Sequence, residues 1–410
     1  MRSGTNLPRV KDYNQGVILE AIRSDEGISR TELATKTGLT KQTVSVIVKR
    51  LLDQQLVRED GIRASSGGKR ATNLRLERTA RYTIGVQLDV DYTNLVVMAL
   101  DGKVVAESYH NISTILTPYE VISKLAEWIK ELVIESALNN DKIIGVGVCA
   151  PGPLNYFKGI IHNPPALKVW IDIPLKQLLE VQTGYHVIVD NDATAAAIGE
   201  RWSGGAQGVN NFAFIYMGTG IGGGLFIENQ VYRGSTTYAG EFGHMSLNPY
   251  GAPCFCGNRG CIEVCCAPPA IVDVIHARLA NGEPSILTEL YNTDPVKVDF
   301  EEIGEAALSG DPLALQEIER VAWLLGNGVV NLVNLLDVSL VVLGGKGFRK
   351  LGTLYQRIIQ EVLDQRVIAR SRRDIRVELS AAGENAGAVG AASLILHEFF
   401  APRLASLNPT

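Results

Sequence analysis

His244 stands ten residues before the first cysteine of "HMSLNPYGAPCFCGNRGC", in which Cys254, Cys256 and Cys261 fall within eight residues. One imidazole and three thiolates make the complete donor set of a tetrahedral zinc site, with no position left for water or substrate. The spacing therefore predicts a structural Zn2+ held by His244, Cys254, Cys256 and Cys261, not a catalytic metal. The N-terminal "MRSGTNLPRVKDYNQG" has no apolar segment of a secretion signal, and no run of 18 apolar residues occurs. A cytosolic protein with no membrane partner is expected, and in that compartment clustered thiols bind metal or do chemistry instead of forming disulfides. The remaining cysteines, Cys149, Cys265 and Cys266, sit in apolar stretches and read as core.

The chain has 410 residues, 46% of them hydrophobic, which is enough for two or three domains with substantial cores. Its net charge of -5 conceals an asymmetry: residues 1–81 hold 16 Lys and Arg against 9 Asp and Glu, so a head of +7 precedes a body of -12. A basic head on an acidic body points to a nucleic-acid partner for the head alone.

Within the head, "GISRTELATKTGLTKQTVSVIVKRLLDQQLVRED" carries two helix starts. Ser29 with Glu32 three residues on predicts a capping box, Gly38 a tight break, and Thr40 the cap of a second helix. Val44, Ile47, Val48, Leu51 and Leu52 recur at helical spacing and turn Lys41, Gln42, Thr43, Ser45, Lys49 and Arg50 outward. Two short helices about a glycine turn, the second with a polar, basic face, make a helix-turn-helix that fits the major groove. "LVRED" and "TNLRLE" then read as the strands of a wing, whose glycine-rich tip carries Lys69 and Arg70 and suits a narrow minor groove. The candidate DNA-binding residues are thus Thr40, Lys41, Gln42, Thr43, Ser45, Lys49, Arg50, Lys69 and Arg70. The expected partner is duplex DNA with an inverted repeat, bound by a homodimer or a dimer of dimers.

Beyond residue 82, strand-like and helix-like segments alternate as in a layered α/β body. "YTIGVQL", "TNLVVMAL" and "KVVAESYHN" form a meander followed by the helix "PYEVISKLAEWIKELVIESAL" and the strand "IIGVGVCA"; a second such series starts at "VIVDNDA". Two meander-helix-strand halves resemble the two-lobed, actin-like (sugar-kinase/ribonuclease H-like) fold. The expected division is a winged helix-turn-helix at 1–81, a first lobe at 82–190 completed by a C-terminal helix near 385–401, and a second lobe at 191–384 with the zinc loop.

"GTGIGGGLFIENQVYRGSTTYAGEFGH" followed by "CFCGNRGCIE" resembles the signature of the ROK family (repressor, open reading frame, kinase). The winged head and "SSGGKRA" are most similar to its regulator branch, which includes the xylose repressors. In that family's kinases the body opens with Asp-x-Gly-Gly-Thr, whose glycines admit ATP phosphates. Here Gln87, Asp89, Val90 and Asp91 replace that cradle, which predicts poor nucleotide binding and no efficient kinase activity.

The resemblance places Asn191, Asp192, Glu241, His244 and Glu263 on the hydroxyls of a sugar bound between the lobes, Asp192 matching the kinases' general base. His244 would then ligate zinc with one ring nitrogen and face the sugar with the other. Ala166 falls where glucose-binding members carry Asn, and Asn163 can substitute only if its loop takes another path. The expected function is that of a sugar-responsive DNA-binding regulator, a repressor of carbohydrate-utilisation genes. The alternatives are a sugar kinase with a DNA-binding head and a regulator controlled by a partner protein.

Overall fold

The computed structural model describes residues 7–63, 71–112 and 116–400. The head comprises α1 (Leu7–Ser24), α2 (Arg30–Thr37), α3 (Lys41–Asp53) and an antiparallel hairpin of β1 (Val57–Arg63) and β2 (Ala71–Leu76). Ser29 and Glu32 form the expected capping box on α2, and the Thr40 side chain accepts from the Thr43 N–H at the start of α3. These caps satisfy end donors that have no partner within the helices. Leu33 of α2, Val44, Ile47, Val48 and Leu51 of α3, and Leu74 of the hairpin are all buried, so both helices and the wing share one small core. The wing tip, with Lys69 and Arg70, lies outside the described residues.

The body continues with β3 (Tyr82–Leu88), β4 (Tyr92–Ala99), β5 (Val104–Asn111), α4 (Pro118–Glu135), β6 (Ile143–Ala150), β7 (Leu154–Asn155), β8 (Ile160–Ile161), α5 (Leu175–Thr183) and β9 (Val187–Asn191). Next come α6 (Asp192–Ser203), β10 (Phe212–Met217), β11 (Ile221–Ile227), β12 (Gln230–Val231), α7 (Ile262–Cys266), α8 (Pro268–Ala280), α9 (Thr288–Thr293), α10 (Phe300–Leu308) and α11 (Pro312–Leu336). The chain finishes with β13 (Leu340–Gly344), α12 (Gly352–Arg366), β14 (Arg376–Leu379) and α13 (Ala386–Phe400).

Two five-stranded sheets repeat one plan. Their orders are β5-β4-β3-β6-β9 and β12-β11-β10-β13-β14, so in each a three-stranded meander adds its later strands beside the meander's first strand. The strands next to that edge are buried along their whole length in β3, β10 and β13, as expected for central strands covered on both faces. In the second sheet, Ile215 and Met217 of β10 and Leu343 of β13 belong to the same core as Ile262 and Cys266 of α7 and Val321, Leu325 and Val329 of α11. Asp311 caps α11 through the Ala314 N–H, and Pro312 fills its first turn.

By contacts the chain divides into two units: residues 1–148, 174–189 and 391–410 in one, residues 149–173 and 190–390 in the other. Residues 149–173, expected in the first lobe, thus group with the second unit. That segment begins inside β6 and ends at Ile173, just before α5, and the two later changes of unit fall inside β9 and inside α13. Ala391 and Ile395 of α13 lie against Gly147 and Gly145 of β6. Among the described residues no helix is long and apolar enough to cross a membrane.

Candidate functional site

His244, Cys254, Cys256 and Cys261 come together with their ligand atoms all within 4.8 Å of one another. Backbone pairing builds this loop: Leu247 N–H donates to the Gly260 C=O at 2.8 Å and Ile262 N–H to the Met245 C=O at 2.9 Å, which sets Cys261 beside His244. A tetrahedral zinc, with Zn–S of about 2.3 Å and Zn–N of about 2.0 Å, spaces two sulfurs by about 3.8 Å and a sulfur and a nitrogen by about 3.5 Å. The Cys256 and Cys261 sulfurs are 3.8 Å apart, and Cys254 Sγ lies 3.6 Å from His244 Nδ1. The donor set therefore fits the ion in chemistry and in spacing. Desolvation pushes the Cys254 thiol up and that of Cys261 to about 12, whereas the Asn258 backbone N–H pulls Cys256 down. A divalent cation supplies the positive charge that three adjacent thiolates need. Of the other cysteines, Cys149 and Cys266 are buried and Cys265 is half-buried against the core.

The other expected pocket residues cluster around the start of β11. Glu263, at the first turn of α7, accepts from the Ile221 N–H at 2.9 Å, and a Cβ at position 220 would come within 2.3 Å of its Oε2. A side chain at position 220 would displace this carboxylate from the Ile221 N–H. At Gly224 a Cβ would meet the Ala193 C=O at 2.4 Å, so the strand can lie directly on α6. Asp192 Oδ1 is 4.0 Å from the Cβ position of Gly222, while Gly223 touches Gly240 and Phe242 on the segment bearing Glu241 and His244. Asn191 caps α6 through the Ala193 N–H, and Asp192 Oδ1 accepts from the same N–H at 2.8 Å.

His244 Nε2 lies 4.0 Å from Glu241 Oε2, on the ring edge opposite Cys254. Desolvation raises the Glu241 carboxyl above its ordinary value, with Glu263 adding to the rise and His244 opposing it. Asn163, with φ 42°, donates its backbone N–H to the Trp170 C=O at 2.8 Å, which closes a loop around half-buried Ala166.

At the turn from β3 to β4, the residues expected in place of the kinase phosphate cradle make contacts within the turn. Asp89 accepts from the Val90 N–H at 2.8 Å, and its own N–H donates to the Tyr92 C=O at 3.0 Å. Buried Gln87 donates from Nε2 to the Tyr92 hydroxyl at 2.8 Å. The backbone N–H groups of Asp89 and Val90 are thus both engaged within this turn.

On α3, Lys41, Gln42, Ser45 and Lys49 are exposed and Thr43 is half-buried. Ser45 returns its hydroxyl to the Lys41 C=O at 2.8 Å, and Thr43 pairs with Thr40 at 2.9 Å between hydroxyls. Arg50, expected on the outward face, is half-buried, with Nε and Nη2 enclosed at the edge of that face. Two further features escaped the sequence reading. Val46 is 65% exposed in the middle of the polar face. Arg233 pairs with buried Asp190, directly before Asn191.

A winged helix-turn-helix joined to two sheets of one shared plan defines a class: a DNA-binding head on an actin-like, sugar-kinase-fold body. The ROK family pattern matches residues 83–398, and a winged helix-turn-helix DNA-binding pattern matches residues 11–58. The chain belongs to the ROK family. A xylose repressor of Bacillus spizizenii is 31% identical over 390 residues, 95% of this chain and 96% of its own length. The crystal structure of a ROK family transcriptional regulator, a homolog of the E. coli MLC protein, matches with a TM-score of 0.82 and 27% identity over 96% of this chain and 98% of that one. A ROK family glucokinase from Streptomyces griseus, solved with glucose and AMPPNP, matches with a TM-score of 0.66 and 30% identity; it covers 76% of this chain and 98% of its own.

Proposed function

We propose that this chain is a sugar-responsive repressor that binds duplex DNA through α3 and its wing and takes a sugar against Asn191, Asp192, Glu241, His244 and Glu263. The observation that carries this reading is the extent of the structural matches. The regulator is matched over 96% of this chain, the head included, whereas the glucokinase accounts for 76%.

In the pocket, Asp192 and Glu241 would accept from sugar hydroxyls, and Glu263 would do so through Oε1 while Oε2 stays on Ile221. Zinc held by Nδ1 of His244 and the three thiolates would leave Nε2–H as a donor beside Glu241. The ion would tie the loop bearing His244 to the start of α7, and its four protein ligands exclude a catalytic role. Xylose is the first sugar to test, because it is named for the regulator relatives.

Phosphorylation of that sugar is not expected. Val90 N–H is spent on Asp89, and Asp91 adds a second carboxylate at the same turn. Selection on random duplexes with the full-length protein should enrich an inverted repeat with half-sites about 10 bp or a multiple apart. ATP turnover should stay at background with xylose, glucose and their common derivatives. Rapid ADP release dependent on Asp192 would favour the kinase alternative instead.

A further inference from the structure

Building on the DNA-binding reading, we propose that Val46 reads the C5-methyl group of a thymine in the major groove. Buried Val44, Ile47, Val48 and Leu51 fix which side of α3 faces the core. At about 100° per residue, the direction opposite their centre falls among Gln42, Val46 and Lys49. Val46 is the strongly exposed apolar side chain of this helix, at 65%, and lies one turn beyond Gln42.

A single exposed valine is ordinary on a protein surface. This one sits at the centre of the second helix of a helix-turn-helix, where side chains meet base edges. Lys49, three residues on along the same side, is an exposed cation, which favours a polyanion over an apolar protein partner. The hydroxyls of Ser45 and Thr43 are turned back onto the helix, at 2.8 Å and 2.9 Å from their partners, so they leave the valine methyls clear. In the major groove the apolar feature is the thymine methyl, which G·C pairs lack. Gln42, facing the same side, has the amide geometry to pair with adenine N6 and N7. Together the two side chains fit a site with adenine and thymine at neighbouring positions.

The probe for this contact is the best duplex enriched by the full-length protein from random DNA. Each thymine is replaced in turn by deoxyuridine, symmetrically in both half-sites; the change removes the methyl and preserves base pairing. At one position the wild-type protein should lose about 15-fold in affinity, the scale of two buried methyl groups, one in each half-site. Val46→Ala should bind the thymine duplex as weakly as the wild type binds the deoxyuridine duplex, and should not respond to the replacement. Val46→Thr, which keeps a γ-methyl, should retain the preference. The salt dependence of binding should match between wild type and Val46→Ala, because no phosphate contact is lost. Wild-type binding indifferent to every replacement, or a Val46→Ala protein that keeps the full preference, overturns the contact while leaving DNA binding intact. Failure to enrich any duplex would remove the DNA-binding reading and this contact with it.

Discussion

Asp190 and Arg233 form a two-pronged ion pair, with Nη1–Oδ1 at 2.9 Å and Nη2–Oδ2 at 2.7 Å, and the guanidinium lies 3.9 Å from the centre of the Tyr156 ring. The Asp190 side chain is 3% exposed. Asp190 immediately precedes Asn191 and Asp192, and Arg233 stands on the segment that leads to Glu241, so the pair fixes two parts of the proposed pocket against each other. Arg233→Met would strand a buried carboxylate and should cost about 3–5 kcal/mol of stability. Asp190→Asn with Arg233→Met removes both charges and should recover most of that loss. Urea unfolding of the two single variants and the double variant gives the cycle; losses that simply add would mean the two residues act independently.

The metal site predicts one zinc ion per chain. Cys254→Ser should lose most of it, and a strong chelator should lower the Tm of the wild type towards that of the variant. Response to sugar should weaken in step, because Glu263 follows Cys261 by two residues and holds the start of β11. Elemental analysis with thermal unfolding tests this; zinc-free protein of unchanged Tm and response would count against a structural metal.

Glu200 gives a pH signature away from both sites. Burial raises its carboxyl above the ordinary value, outweighing the lowering effect of the Ser380 hydroxyl and the Gly205 and Ala381 N–H groups that donate to it. A carboxyl with a raised folded-state pKa contributes stability that is complete below the unfolded value and is lost as pH rises through the folded one. The stability of the wild type relative to Glu200→Gln should therefore be greatest near pH 4 or below, an unfolded Glu titrating at about 4.3, and should decline on the way to neutral. Urea unfolding across that range checks the sign, and a difference that grows with pH would contradict it.

The parts of this protein that were legible in its sequence share a local grammar. Ser29 with Glu32 and Thr40 before its helix are signals within four residues, and His244 with the three cysteines spans 18 positions in one loop. Asp190 and Arg233 are 43 residues apart with no periodic signal between them, so their pairing exists only after the second sheet has formed. Val46 was hidden for another reason: valine reads as core, and only its phase against Val44, Ile47, Val48 and Leu51 reveals that it points outward. The unit changes inside β6, β9 and α13 leave no trace because regular structure runs through each of them.

The central claim, that one chain couples sugar to DNA, is tested most directly by the affinity of the full-length protein for its selected duplex with and without saturating xylose, followed by a panel of other sugars. One sugar should weaken DNA binding by about 5- to 150-fold, and the duplex should weaken sugar binding by the same factor, because the coupling is reciprocal. Asp192→Ala should keep its DNA affinity and lose the response. Unchanged DNA affinity with every sugar in the panel would contradict the account.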